Sequence, residues 1–332
     1  MKKILLLLCL TLAPFANAQI ADSLQMHLDE ALGIMKNHSL YARSINWEKA
    51  TQQAYQEAQN AKNKAQLFSP IANVYRQLGD HHGWFQQYED KIKLTDSSAI
   101  KRYTPELYAA WSKGPKVATA MIGNVAYVRI PGMNVYNQKQ IDYCANWLID
   151  SLGSLASKKP KSWIIDLRLN SGGNITPMMA PLAGFFNDGF LSCYLDRSNK
   201  ATEICEIRKG IFYNDTVHAN LKRLPENFQR QKVAILVGPG TASSGEGVAY
   251  NFKSRKNTKS FGQPTAGLAN STEGFLFNEK QSYFLLTTSA LGDQKRKPQP
   301  EQFTPDVLVN GNESFDHPAD DASVKKALEW LR

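Results

Sequence analysis

Val233-Ala234-Ile235-Leu236-Val237-Gly238-Pro239-Gly240-Thr241-Ala242-Ser243-Ser244-Gly245-Glu246 is an apolar run that stops at a turn of small residues and restarts as a helix. Its first five residues, rich in β-branched side chains, read as a strand buried on both faces. Ser243 followed three residues later by Glu246 is a helix-start signature. Small side chains at such a start leave room beside the first-turn N–H groups, which find no partner inside the helix. Those groups favour negative charge. The same residues therefore suit either a plain helix cap or a nucleophile beside an oxyanion site.

A second stretch, Trp163-Ile164-Ile165-Asp166-Leu167-Arg168-Leu169-Asn170-Ser171-Gly172-Gly173-Asn174, has the same form. Two glycines let backbone N–H groups face a ligand with no Cβ in the way. Asp166 and Arg168 read as a buried ion pair that shapes this turn. Outward from the two stretches, β-branched runs recur at 117–122, 125–130, 283–288 and 305–309, with helical stretches at 138–154, 176–186 and 322–331. Strands alternating with helices define an α/β class. Residues 20–95 differ. Leu24, Leu28, Leu32 and Met35 recur at helical spacing, and 47–63 and 64–78 continue the pattern. The chain thus divides into a signal peptide (1–18), an N-terminal helical domain (19–95), a connector (96–116) and an α/β core (117–332). Trp84 and Phe85 read as packing between the two domains.

The signal peptide is read from Lys2-Lys3, a short apolar run and Ala16-Asn17-Ala18, a small-residue cleavage site. It implies an extracytoplasmic (periplasmic or secreted) destination and no integral membrane segment once removed. Composition is that of a globular protein, 42% hydrophobic and 21% charged, which excludes disordered and fibrous classes. The net charge of +9 is dispersed, and no nucleic-acid-binding motif accompanies it, so no nucleic-acid partner is expected. Cys144, Cys193 and Cys205 lack metal-type spacing, so neither a metal site nor a cofactor is expected. Cys193 and Cys205 flank a turn between 190–195 and 203–208, leaving a disulfide or two buried thiols as alternatives.

Directly after the helical region stands Leu78-Gly79-Asp80-His81-His82-Gly83-Trp84-Phe85. A histidine at a helix exit can be a surface residue or a general base, its pKa lying near neutrality. H-E-x-x-H is absent, and Ser243 lacks the G-x-S-x-G frame of an α/β-hydrolase.

In this order the motifs resemble those of the tail-specific or C-terminal processing protease family, which includes the tricorn core. The resemblance rests on 166–173, 241–246, Phe261-Gly262-Gln263-Pro264-Thr265-Ala266-Gly267 and Pro305-Asp306, and it extends over 22–331. It implies a crotonase-like α/β protease core with an N-terminal helical bundle. It implies a serine endopeptidase acting near C-termini or in unstructured polypeptides through an acyl-enzyme. Ser243 matches the nucleophile, and the N–H groups of Ser244 and Gly172 match the oxyanion donors. The branch with a lysine base carries it near Leu268, where this chain has none. The tricorn-like branch takes a histidine from the end of the helical region, the place of His82. There a serine precedes the histidine, where this chain has His81, and a late glutamate completes the site, for which Glu301 is the candidate. Too few residues separate Phe85 from Val117 for the family's peptide-binding PDZ domain. The alternative is a non-catalytic peptide- or ligand-binding relative that keeps the fold.

Overall fold

The computed structural model describes residues 20–332; the segment read as a signal peptide lies outside the described residues. The chain opens with helices α1 (Asp22–His38), α2 (Trp47–Ala58) and α3 (Phe68–Leu78). Asn46 caps α2 by accepting from Lys49 N–H, and α3 ends on left-handed Gly79. Two short strands follow, β1 (Trp84–Gln87) and β2 (Asp90–Ile92), then short helices α4 (Ser97–Ile100) and α5 (Pro105–Ser112). The expectation of a helical domain reaching residue 95 is therefore corrected. Helices stop at Leu78, and the next residues join a sheet because Phe85 and Gln87 alternate inward at a period of two.

From β3 (Ala118–Ile122) and β4 (Val125–Arg129) the chain alternates as α6 (Gln138–Ala156), β5 (Ser162–Asp166), α7 (Ile175–Leu182), β6 (Gly189–Leu195), β7 (Ala201–Arg208), β8 (Ile211–Asn214), β9 (Lys232–Val237), α8 (Ser244–Lys253), β10 (Thr258–Gly262), β11 (Ser271–Phe277), β12 (Ser282–Gly292), β13 (Val307–Leu308) and α9 (Ala322–Leu331). One sheet has six strands in the order β13-β10-β9-β5-β4-β3, parallel except for β3. Alternate residues serve its two faces. Trp163, Ile165, Val233, Ile235 and Val237 pack with α6, α7 and α8, while Ile164, Ala234 and Leu236 pack with α9.

The other sheet has seven strands, ordered β2-β1-β12-β6-β7-β8 with β11 also paired to β12. Phe85, Phe277, Phe284 and Leu286 from this sheet share one core cluster with α1, α2 and α3. The sheet was not expected as a unit, because its partners lie up to two hundred residues apart, as at Trp84 opposite Leu285. The expected hairpin forms as β6–β7. Its register sets Cys205 against Ser192 and Cys193 against Ile204, one step out, and both cysteines are free, buried thiols.

Candidate active site

Strands β5 and β9 are neighbours, and both motif turns leave from their C-terminal ends. Parallel α/β sheets place ligands at that edge. The two turns are stitched together. Thr241 Oγ1 donates to Leu167 O at 2.9 Å, and Ala242 N–H donates to Asn170 O at 2.9 Å.

Ser243 stands where the second turn becomes α8, with φ 53° and ψ −124°. Few L-residues adopt that backbone, and a serine held on a strained strand-to-helix turn presents its hydroxyl outward. The strain is held by Glu246, whose Oε2 accepts Ser243 N–H at 2.9 Å. Gly172 lies directly opposite, at φ +97°; a Cβ there would come within 2.6 Å of Ser243 Cβ. Only glycine fits, in conformation and in space. Ser244 Oγ donates to Gly173 O at 2.5 Å and fastens the start of α8 to the glycine turn.

The N–H groups here divide. Gly172 N–H, expected as an oxyanion donor, already donates to Asn170 Oδ1 at 3.0 Å. Ser244 N–H and Gly173 N–H find no acceptor among the described residues.

Glu246 is fully buried and accepts four hydrogen bonds: Ser243 N–H and Leu268 N–H on Oε2, Gly267 N–H and the Thr265 hydroxyl on Oε1. Burial pushes its carboxyl up to about 7, and the four donors act against that shift. One carboxylate thus fixes both the Ser243 turn and the loop at 265–268.

Two residues along the same loop stands Asn270, whose backbone favours the charged form of His82. His82 follows the left-handed end of α3. Asp80 Oδ1 accepts His82 N–H at 3.1 Å and Gly83 N–H at 2.8 Å, closing a tight turn. Asp80 also takes the Thr287 N–H and hydroxyl from β12, at 2.8 and 2.7 Å. Burial holds the His82 pKa below its ordinary value, with the Asp80 charge and the Asn270 carbonyl opposing. Its Nδ1 is buried without a hydrogen-bond partner, whereas His81 is exposed. Ser243 is thus linked to this loop through Glu246. Among the described residues no hydrogen bond joins the Ser243 hydroxyl to the imidazole.

Glu301 stands elsewhere. Its Oε1 accepts from Tyr41 OH at 2.8 Å and from Asn270 Nδ2 at 2.9 Å, so it steadies Asn270 rather than the ring. The carboxylate whose charge reaches His82 is Asp80, which the motif reading passed over. Its signal was local: an Asp two residues before the His, in an Asx-turn position. Asn270 offered no such signal. Asp166 and Arg168 form the expected ion pair at 2.7 Å, and Asp321 completes it from the other side of Arg168, also at 2.7 Å. Among the described residues there is no group of three or more His, Cys, Asp or Glu that could hold a metal, and no helix long and apolar enough to cross a membrane.

A strained serine at a helix start, facing a glycine turn at the carboxyl edge of a parallel sheet, is the arrangement of a serine hydrolase. The family model for peptidase family S41 matches residues 124–309, and the chain belongs to that family of serine peptidases. Over 317 residues it is 25% identical to a nisin-resistance protein of Lactococcus lactis subsp. lactis, covering 94% of this chain and 88% of the relative. Among solved structures, a lipoprotein from Streptococcus agalactiae superposes with a TM-score of 0.65 at 19% identity, covering 93% of this chain and 96% of that one. The photosystem II D1 C-terminal processing protease gives 0.59 at 15% identity, covering 88% and 94%. At such identities these two structures share the fold.

Proposed function

We propose that the chain is an exported serine endopeptidase that cleaves polypeptides near C-termini or in unstructured segments. The observation that carries this reading is the Ser243 turn, strained at φ 53° and set against Gly172. Ser243 Oγ attacks the scissile carbonyl while His82 takes its proton. The imidazolium then protonates the leaving amine, an acyl-enzyme remains on Ser243, and water hydrolyses it with His82 again as base. Ser244 N–H and, of the glycine pair, Gly173 N–H receive the oxyanion; Gly172 N–H can join only by leaving Asn170 Oδ1. One such donor lowers the barrier by about 3 kcal/mol. Burial keeps the His82 ring neutral near pH 7, the form a base requires. Asp80 orients the ring through the turn, and Glu301 acts one step further out, through Asn270.

The strand–turn–helix order of the parallel sheet supports a crotonase-like core, with α1–α3 as the helical bundle that supplies His82. The likeness to a nisin-resistance protein and to a lipoprotein supports an extracytoplasmic location. A second reading, a binding relative without turnover, draws support from the missing Ser243–His82 hydrogen bond. A fluorophosphonate probe separates the two. Labelling of the wild-type protein that disappears in Ser243→Ala supports the peptidase, and a wild-type protein that stays unlabelled overturns it.

A further inference from the structure

The stretch between the helical part and the α/β core lies against both loops of the candidate site. Just after α4, Arg102 reaches two consecutive carbonyls of the loop that follows β10. Its Nη1 donates to Pro264 O, and its Nη2 donates to Thr265 O at 2.9 Å. Further along, α5 covers the turn that leads into the serine. A Cβ at Gly240 would come within 2.3 Å of Arg168 O, 2.9 Å of Trp111 Cζ2 and 3.1 Å of Leu107 Cδ1, so the helix leaves room there for glycine alone.

Three observations set Arg102 apart from a surface arginine. It is half-buried, and it forms no salt bridge among the described residues. Its planar fork serves two neighbouring carbonyls at once, which a lysine ammonium does poorly. Among the described residues it is also the only donor to Pro264 O. The loop it holds then reaches the nucleophile in two steps. The Thr265 hydroxyl donates to Glu246 Oε1, and Glu246 Oε2 accepts Ser243 N–H at 2.9 Å.

We propose that Arg102 is a positioning residue for the reaction of Ser243: its guanidinium fixes the loop that carries three of the four donors to Glu246, and through Glu246 it fixes the strained serine turn. The inference rests on the peptidase reading and adds to it a residue far from the nucleophile in sequence. Gln302 Nε2 also donates to Thr265 O, at 3.0 Å, and Phe303 N–H donates to the Thr265 hydroxyl at 2.9 Å. The loop therefore stays folded without Arg102 but is less closely placed. A small displacement of a reacting group is costly to rate while the fold survives it.

Arg102 lines a cavity of about 250 Å³ together with Thr104, Gly262, Gln263 and Glu313, so Arg102→Ala leaves a space that a free guanidinium ion can enter. The test follows fluorophosphonate labelling of Ser243 to completion. The final extent counts folded, competent molecules, and the rate constant reports the reactivity of each. Arg102→Ala is expected to reach the wild-type extent at about one tenth of the wild-type rate constant. Millimolar guanidinium ion is expected to restore most of that rate, and ethylammonium ion, which has no fork, little of it. Lys113→Ala removes an exposed ion pair with Asp316 just after α5 and is expected to label as the wild type does. Should Arg102→Ala not fold, Arg102→Lys, serving one carbonyl in place of two, is expected to label about threefold more slowly than the wild type. A variant that labels at the wild-type rate constant, one that loses extent alone, or a slowed Arg102→Ala that guanidinium leaves slow overturns the proposal. A wild-type protein that stays unlabelled removes the peptidase reading and the inference with it. A labelled wild type beside an unaffected variant removes the role of Arg102 alone, so the two failures are distinguishable.

Discussion

Glu246 joins the serine to the loop that reaches the histidine, and its protonation is set by burial against four donors. Ionised, it matches every donor around it. A proton added as pH falls through about 7 turns one oxygen into a donor among donors. His82, with its pKa held below the ordinary value, loses its basic form only at lower pH. The acid limb of kcat/KM is therefore expected near pH 7, and in Glu246→Gln the remaining limb is expected at the lower pH of His82. The same substitution turns an amide NH2 against backbone N–H groups. It is expected to cost about 2 kcal/mol for each donor left unpaired, measured by denaturant unfolding. A variant with an unchanged pH profile would remove Glu246 from the account.

Ser243 and Ser244 are neighbours with unlike duties. Ser243→Ala is expected to lower kcat at least about a thousandfold. Ser244→Ala loses only the bond to Gly173 O and is expected to cost less than about tenfold, since its backbone N–H remains. The serine turn, its glutamate and the glycine turn were legible because each is a local pattern of adjacent residues. Asn270 was not, because nothing in its own neighbours marks a side chain that joins Glu301 to the Leu291 N–H of β12. Asp80 was overlooked for a different reason. The family pattern drew attention to the residue directly before the histidine, whereas the structure uses the one before that.

At the scale of elements, the buried ion cluster decides how well the glycine turn is held. Arg168 donates to Asp166 through Nε and Nη2 and to Asp321 through Nη1, and all three residues are buried. Removing one member of such a set strands its partners without compensation. Arg168→Met is expected to destabilise by about 3–5 kcal/mol in denaturant unfolding, because it isolates two carboxylates. Asp321→Asn is expected to cost clearly less, because Asp166 still takes Arg168 through two bonds. Equal losses would contradict this division. The parallel sheet was legible as elements because β5 and β9 are continuous apolar runs bounded by turns. The antiparallel sheet was not, because β1 and β2 are only four and three residues long and follow a helical segment.

At the scale of the whole molecule, α3 brings His82 to the core through one carboxylate. Asp80 accepts two hydrogen bonds from its own turn and two from Thr287 on β12. Asp80→Ala leaves the buried Thr287 N–H without an acceptor and frees the turn that carries the imidazole. It is expected to lower stability by about 2 kcal/mol and kcat by a larger factor than that loss of folded protein explains. A variant stabilised by lower temperature that regains full turnover would contradict the positioning role. The division into a helical part and an α/β part was visible from the change in periodicity. Their shared core was not, since it is built from contacts between Phe85, Phe277 and Phe284 that no local pattern announces.

Asp321, which caps α9 through Ser323 and Val324 N–H, is also the second carboxylate of Arg168. In translation order the hydroxyl of Ser243 leaves the ribosome well ahead of it. The brace of the glycine turn is thus completed by a residue that is made long after the turn itself. Docking of the last helix therefore closes the ion cluster under the glycine turn, so the first and last parts of the α/β half are tied by one guanidinium.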